Sequence, residues 1–369
     1  MLFLMATLVV GHAAVYRVTP EDDWYGRLSG SGLKPGDELV LGPGVYSDRR
    51  LLKVSHRGKR GKPVTVRGER GAVIRRPDAR QNTINLAGAQ YLVLRDLEIT
   101  GGAAGIRIHA DGGTPAAYVM LQNLHIHHIG GVAVTCNHDG NVYRGMVFRQ
   151  NHIHHTGGHG EAFYLGCNNR PDGSSPGYIT GALIEGNYIH DLNGSGVSQG
   201  DGIELKDGSF GNIVRHNVIH DTKYPGITAY GTDGKQPNVI ENNLIWNTMD
   251  SGIQIAAEAR ITHNIIARAG GNGIRSMPHQ SAVPKDLIIA NNAVMSSKAS
   301  DIRISGPHEG SIIVRQNRIR DGSLCIEPMQ GVEAGANSSS ATGSRKFDPA
   351  KVPAWKPPRN FFLREFLAR

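Results

Sequence analysis

Asparagine recurs at one place in a repeated pattern along most of this chain, and that recurrence leaves few folds open. Leu97, Leu124, Asn151, Asn187, Asn217, Asn243, Asn264, Asn292 and Asn317 stand 21 to 36 residues apart. Two positions after each comes Ile99, Ile126, Ile153, Ile189, Ile219, Ile245, Ile266, Val294 or Ile319. Periods of about 20 to 50 residues signify stacked units. Each unit carries a second short strand, such as Gly202-Ile-Glu-Leu-Lys, Gly226-Ile-Thr-Ala-Tyr or Gly252-Ile-Gln-Ile, in which aliphatic and polar residues alternate. A strand of that kind buries one face. A single coil cannot cover the face alone, so neighbours stack and pair in parallel. Asn at one corner of every coil then passes amide hydrogen bonds along the stack. The pattern predicts an all-β chain: a parallel β-helix of about ten or more coils, right-handed by the chirality of parallel crossovers. The 48 glycines against 8 phenylalanines fit turns and short strands better than a helix-rich globule.

Three segments are expected. Residues 1–13 read as a secretory leader, an apolar run from Leu2 to Val10 followed by small residues, with a buried first strand as the alternative. Residues 14–330 form the β-helix domain, with one short helix within 20–30 near its start. Residues 331–369 form a Ser-, Gly- and Pro-rich tail, expected to be irregular apart from an amphipathic stretch, Phe361 to Leu367. No stretch is suited to span a membrane. The formal charge is +8, with basic residues gathered between Arg57 and Arg80. In a secreted or periplasmic protein that balance points to an acidic polysaccharide rather than nucleic acid as partner. The chain is expected to act as a monomer. Cys136 and Cys167 read as equivalent positions on successive coils, either disulfide-bonded or carrying two thiols. Cys325 reads as a buried apolar filler.

Aligning the second strands stacks their outward residues into ladders. One runs Arg107, Ala133, Tyr164, Glu204, Thr228, Gln254, Arg275, Arg303, and the next holds His109, Thr135, Gly166, Lys206, Tyr230, Ala256, Met277 and Ser305. Glu161, Asp201, Glu204, Lys206, Tyr230 and Arg275 are therefore expected on one surface strip, with His159 at its edge. Three carboxylates on neighbouring coils repel unless offset, and a hard cation such as Ca²⁺ takes oxygen ligands. Glu161, Asp201 and Glu204 are the candidate ligands. The alternative is that they pair with Lys206, Arg215 or Arg275. Lys206 is a candidate base, or one half of a simple ion pair with Glu204. As a base it must lose its proton near neutral pH, which neighbouring carboxylates oppose. Tyr230 is either a proton donor or a platform for sugar rings. His127, His154, His190, His220 and Trp246 recur at one position, which predicts a stacked column, with metal binding as the alternative.

The Pro35-Gly36-Asp37 entry, the Gly44-Val45-Tyr46 turn and the repeat to Asn317 resemble the right-handed parallel β-helix proteins of the pectate-lyase-like superfamily. Asp201-Gly-Ile-Glu204-Leu-Lys206 with Asn212-Ile-Val-Arg215-His-Asn217 resembles the active-site coil of the alginate and chondroitin lyases of polysaccharide lyase family 6. That resemblance implies acidic residues binding Ca²⁺, Lys206 abstracting the proton α to a uronate carboxylate, and Glu204 as a ligand. Where the family places an acidic-role Arg, this chain has Ile227-Thr228-Ala229-Tyr230. The expected function is cleavage of a uronate-containing polysaccharide by β-elimination. Lys206 is base, Tyr230 acid, a metal or Arg275 the carboxylate neutraliser, and Arg107, His159, Tyr164 and Gln254 are groove contacts. C5-epimerisation, hydrolysis by paired acids and a non-catalytic polysaccharide-binding or export scaffold are the rival readings.

Overall fold

The computed structural model describes residues 13–169, 177–280, 282–326 and 331–340. Three long sheets of 13, 11 and 12 strands run along it, each coil giving one strand to each sheet in chain order. Pairing between coils is parallel, as in Ile203–Leu205 against Phe163–Leu165 on one side and Ile227–Ala229 on the other. The chain is the parallel β-helix that its repeat predicts. At the N-terminal end the helix Trp24–Leu28, capped by the Asp23 carboxylate accepting from the Gly26 amide, buries Trp24 and Leu28. Trp24 meets Tyr46 edge-on with 5.5 Å between ring centroids, closing the end of the core.

Inside, like residues lie over like. Ile153, Ile189, Ile219, Ile245, Ile266, Val294 and Ile319 are register partners in sequence and none is more than 2% exposed. The stacked aliphatic column is what makes the coils cohere, since each buried side chain gains about 1.5–3 kcal/mol from leaving water.

The corner beside this column is built by two features. The residue before each ladder position, including Asp96, Asn123, Gln150, Gly186, His216, Asn242, His263, Asn291 and Gln316, turns the chain with φ between 51° and 63°. Asn and Asp adopt that left-handed conformation at little cost. The following Asn is then buried and doubly bonded. Asn243 Nδ2 donates to Val214 O at 3.0 Å and to Asn264 Oδ1 at 2.9 Å, while its Oδ1 accepts from the Asn217 amide and side chain at 3.0 Å each. The same arrangement runs from Asn151 to Asn317 and on to Asn337. A second, shorter ladder that the repeat did not single out joins Asn212 to Asn238 at another corner. Glycine opens the second strand for a steric reason: a Cβ on Gly202 would lie 2.3 Å from the Gly226 carbonyl oxygen of the next coil.

Three expectations are corrected. The β-helix does not stop at residue 330, because Val332–Gly335 and Ser338–Ser340 add a further strand to two sheets. Asn337 continues the amide ladder and carries the fold into the supposed tail. Cys136 is register partner to Leu165, not to Cys167, and no disulfide joins the two cysteines. Cys325 pairs with Arg303 on an outward-facing position and is half-buried rather than a core filler. Residues 1–12 of the expected leader, residues 170–176 and the amphipathic stretch Phe361 to Leu367 lie outside the described residues. Among the described residues no helix is long and apolar enough to cross a membrane.

The ladder sets a testable contrast. Asn243→Ala should lower stability by about 1–3 kcal/mol for each buried partner left unsatisfied. Asn337→Ala, at a half-buried position that water reaches, should cost much less. Urea unfolding of both variants checks the difference.

Candidate functional site

The 11-stranded sheet carries the chemistry. Its register places Asn85, Arg107, Thr135, Tyr164, Glu204, Thr228, Gln254, Arg275 and Arg303 side by side on successive strands. The expected ladder is right except at one rung, where Thr135 replaces Ala133. Val134 is the inward residue of that strand, with no exposed surface, so the outward neighbour is Thr135. At about 4.8 Å per strand, Arg107 and Arg275 stand three strands to either side of Glu204.

The acids and their partners meet as expected, but not on the surface. Glu161, Asp201, Glu204, Lys206 and Tyr230 are each at most 4% exposed. The segment that carries His279 folds back over the sheet, bringing His279 Nε2 to 3.2 Å from the Tyr230 hydroxyl. His279 lies 49 residues from Tyr230 in sequence and off the repeat, which is why no periodic pattern marked it. Lys206 Nζ is 2.5 Å from Glu204 Oε1 and donates to Tyr230 Oη at 3.2 Å. The Tyr230 hydroxyl donates to Glu204 Oε1 at 3.1 Å. Tyr164 adds a ring face 4.7 Å from the ammonium. Thr228 donates its hydroxyl to Asp201 Oδ1 at 2.7 Å, and His159, largely exposed, approaches Glu161 Oε1 at 3.3 Å. Arg215 pairs with Glu185 instead of the acids. Arg275 is also apart from them, three strands away, with its Nε buried and unsatisfied.

Carboxylate oxygens of Glu161, Asp201 and Glu204 lie within 4.8 Å of one another, all three residues buried. Burial, with Glu204 close by, raises the Glu161 carboxyl above its usual range and Asp201 further still. Glu161 Oε2 and Glu204 Oε2 are buried without a hydrogen-bond partner. Orphaned buried carboxylate oxygens are costly. An all-oxygen donor set with free lone pairs facing inward fits a hard divalent cation such as Ca²⁺.

The remaining groups are tuned by the same burial. For Lys206 burial works to depress the ammonium, but Glu204, Tyr230 and Tyr164 beside it outweigh that and hold its pKa well above the usual value. Burial, then Glu204, raises the Tyr230 phenol, so its proton is retained. Burial, with Lys206 and Arg275 near, lowers His279 and favours a neutral ring. Chemically, the site offers a retained phenolic proton, an amine that one carboxylate keeps charged, and a concentrated negative charge behind both.

The family model described as "Right handed beta helix region" matches residues 64–237 and 146–285. No curated protein sequence matches the chain. Among solved structures it is similar to an alginate lyase from Paenibacillus sp. str. FPU-7, at 19% identity and a TM-score of 0.58, over 88% of this chain and 99% of that one. It is also similar to the A-module of the mannuronan C-5 epimerase AlgE6 of Azotobacter vinelandii, at 15% identity and a TM-score of 0.60, over 83% and 91%. A third is the GH136 lacto-N-biosidase of Eubacterium ramulus, at 13% identity and a TM-score of 0.61, over 89% and 68%. Identities this low establish a common fold. They leave the choice among three reaction types open.

A carboxyl raised in the folded state stabilises below its unfolded pKa and loses that contribution as pH rises through the folded value. Asp201→Asn, which can still accept from Thr228, should therefore unfold at a higher temperature than the parent protein at about pH 7 in chelator. The advantage should vanish below about pH 4, where the carboxyl is protonated in both states. Thermal unfolding across pH checks the sign.

Proposed function

The chain belongs to the right-handed β-helix family, and we propose that within it this protein is an exported carbohydrate-active enzyme that cleaves a uronate-containing polysaccharide by β-elimination. One observation carries this reading: Lys206, Tyr230 and three buried carboxylates meet at a single cluster, with arginines flanking it along the helix axis. Elimination needs a base for the proton α to the uronate carboxylate, a proton for the departing oxygen and neutralisation of the enolate-like intermediate.

Once its own proton has been shed, Lys206 takes the C5 proton and Tyr230 protonates the O4 oxygen as the C4–O4 bond breaks and the C4–C5 double bond forms. With Nζ and Oη 3.2 Å apart, Lys206 then passes the abstracted proton to the phenolate, and the pair is reset. Base and acid so close together reach the ring from one side, so the elimination is syn. Bound by Glu161, Asp201 and Glu204, a cation such as Ca²⁺ would neutralise the uronate carboxylate and loosen the hold of Glu204 on the Lys206 proton. His279, bonded to the phenol oxygen, fixes its direction. Tyr164 and Gln254 border the cluster as ring-facing and hydroxyl-facing contacts, and His159 lies at its exposed edge. Arg107 and Arg275, about 14 Å to either side, are spaced for carboxylates of neighbouring sugars rather than for the reacting one. The similar lyase and epimerase structures support a uronate polymer as substrate.

Hydrolysis is the second reading. Glu161 and Asp201, whose carboxyls burial raises above their usual range, have the character of a general acid, and a glycosidase shares the fold.

The test is to offer alginate, pectate and chondroitin to the protein and follow the ultraviolet absorbance of unsaturated uronate ends. The expected outcome is a rise that chelator abolishes and that Lys206→Ala and Tyr230→Phe each reduce by about 10²–10⁴-fold. New reducing ends without absorbance would replace elimination by hydrolysis. Inversion at C5 with unchanged polymer length would make the protein an epimerase, and no change on any polymer would sink the enzymatic reading. Arg107→Ala and Arg275→Ala should raise KM on long polymers while leaving kcat nearly unchanged, because they bind sugars that do not react.

A further inference from the structure

A second cluster of metal-ligating side chains sits on a different sheet, where His125–Ile129 pairs with His152–Thr156 and that strand with Tyr188–His190. The expected column is present: His127 stacks on His154 at 5.2 Å, His154 on His190 at 5.0 Å, His190 on His220 at 5.2 Å and His220 on Trp246 at 4.2 Å. Beside it runs a column that the repeat did not single out, His125 on His152 at 4.8 Å and His152 on Tyr188 at 5.0 Å.

Stacking alone would leave the ring edges apart. Here they converge between the columns: His125 Nε2 lies 2.8 Å from His154 Nε2, and His152 Nε2 lies 2.7 Å from His190 Nε2. The other nitrogen of His154 is already engaged, its Nδ1 meeting His155 Nδ1 at 2.6 Å. A partner on one ring nitrogen fixes which nitrogen is free to ligate. On the neighbouring strand Glu98 Oε1 approaches His127 Nε2 at 3.2 Å, placing a carboxylate at the margin.

We propose that His125, His152 and His154 bind one transition-metal ion of the borderline class, such as Zn²⁺, linking two coils of the β-helix. One nitrogen from each of the three lies within 4.8 Å of the others. Metal–nitrogen bonds of about 2.0–2.1 Å bring such atoms to a common centre with small ring rotations. Imidazole selects Zn²⁺, Ni²⁺ or Cu²⁺ over the hard cations suited to the carboxylate cluster, so the chain holds two sites of opposite preference.

Calorimetric titration of the untagged protein with Zn²⁺ tests this. One equivalent should bind, with the unfolding temperature rising as free Zn²⁺ rises. His125→Gln and His154→Gln should each weaken binding by more than about tenfold. His220→Gln, in the column but outside the ligand set, should leave it unchanged, as should Asp201→Asn. Absence of stoichiometric binding would overturn the proposal, and so would affinity lost in Asp201→Asn. Anomalous diffraction from Zn²⁺-soaked crystals of the unaltered protein needs no variant: density between His125, His152 and His154 supports the site, and density only elsewhere refutes it.

Discussion

From Asn151 onward the coils of this protein rest on one hydrogen-bonded contact made again and again: a buried asparagine amide that spans from its own coil to the two beside it. The contact does three things at once. It satisfies corner carbonyls that would otherwise be buried without partners, it fixes where each coil begins relative to the last, and it sets the register of the three sheets. Aliphatic columns supply more free energy, but they tolerate sliding, since one Ile over another resembles its neighbour. The amide does not, because a slip of one residue breaks four bonds at a buried site.

The site inherits its geometry from that register. Glu161, Asp201 and Glu204 come together because strands on adjacent coils are held about 4.8 Å apart, closer than charged carboxylates would choose. The scaffold imposes the crowding, and Lys206, Thr228 and Tyr230 answer part of it. Two orphaned oxygens show that the answer is incomplete within the protein itself. Negative charge concentrated by a rigid frame is a standing demand for a cation. A frame this stiff also holds donors in place with little reorganisation when charge develops on a substrate.

How much of this was legible in the sequence depends on whether the information was periodic. The ladder asparagines, the aliphatic column, the outward line through Tyr164, Glu204 and Gln254, and the stacked histidines all repeat, so alignment of the chain against itself recovers them. Thr135 was misplaced because Val132-Ala-Val-Thr offers two alternations, and only pairing with Phe163 and Tyr164 decides between them. The burial of the acid cluster was not legible, since an outward position in a strand reads as exposed whether or not another segment covers it. His279 reaches the Tyr230 hydroxyl from 49 residues away. The same limit applied to the C-terminal boundary, where Ser and Gly read as irregular although Asn337 still continues the amide ladder.

The amide ladder passes without a break over coils of very different length, 36 residues from Asn151 to Asn187 and 21 from Asn243 to Asn264. What is conserved from coil to coil is the rise along the axis, while the perimeter is free. Loops can therefore lengthen or shrink without disturbing their neighbours, and a whole coil can be duplicated or excised as a unit. Either change would move the flanking arginines relative to the acid cluster in steps of about 4.8 Å, so that the molecule behaves as a ruler whose graduations are fixed by backbone spacing and whose markings are written in side chains.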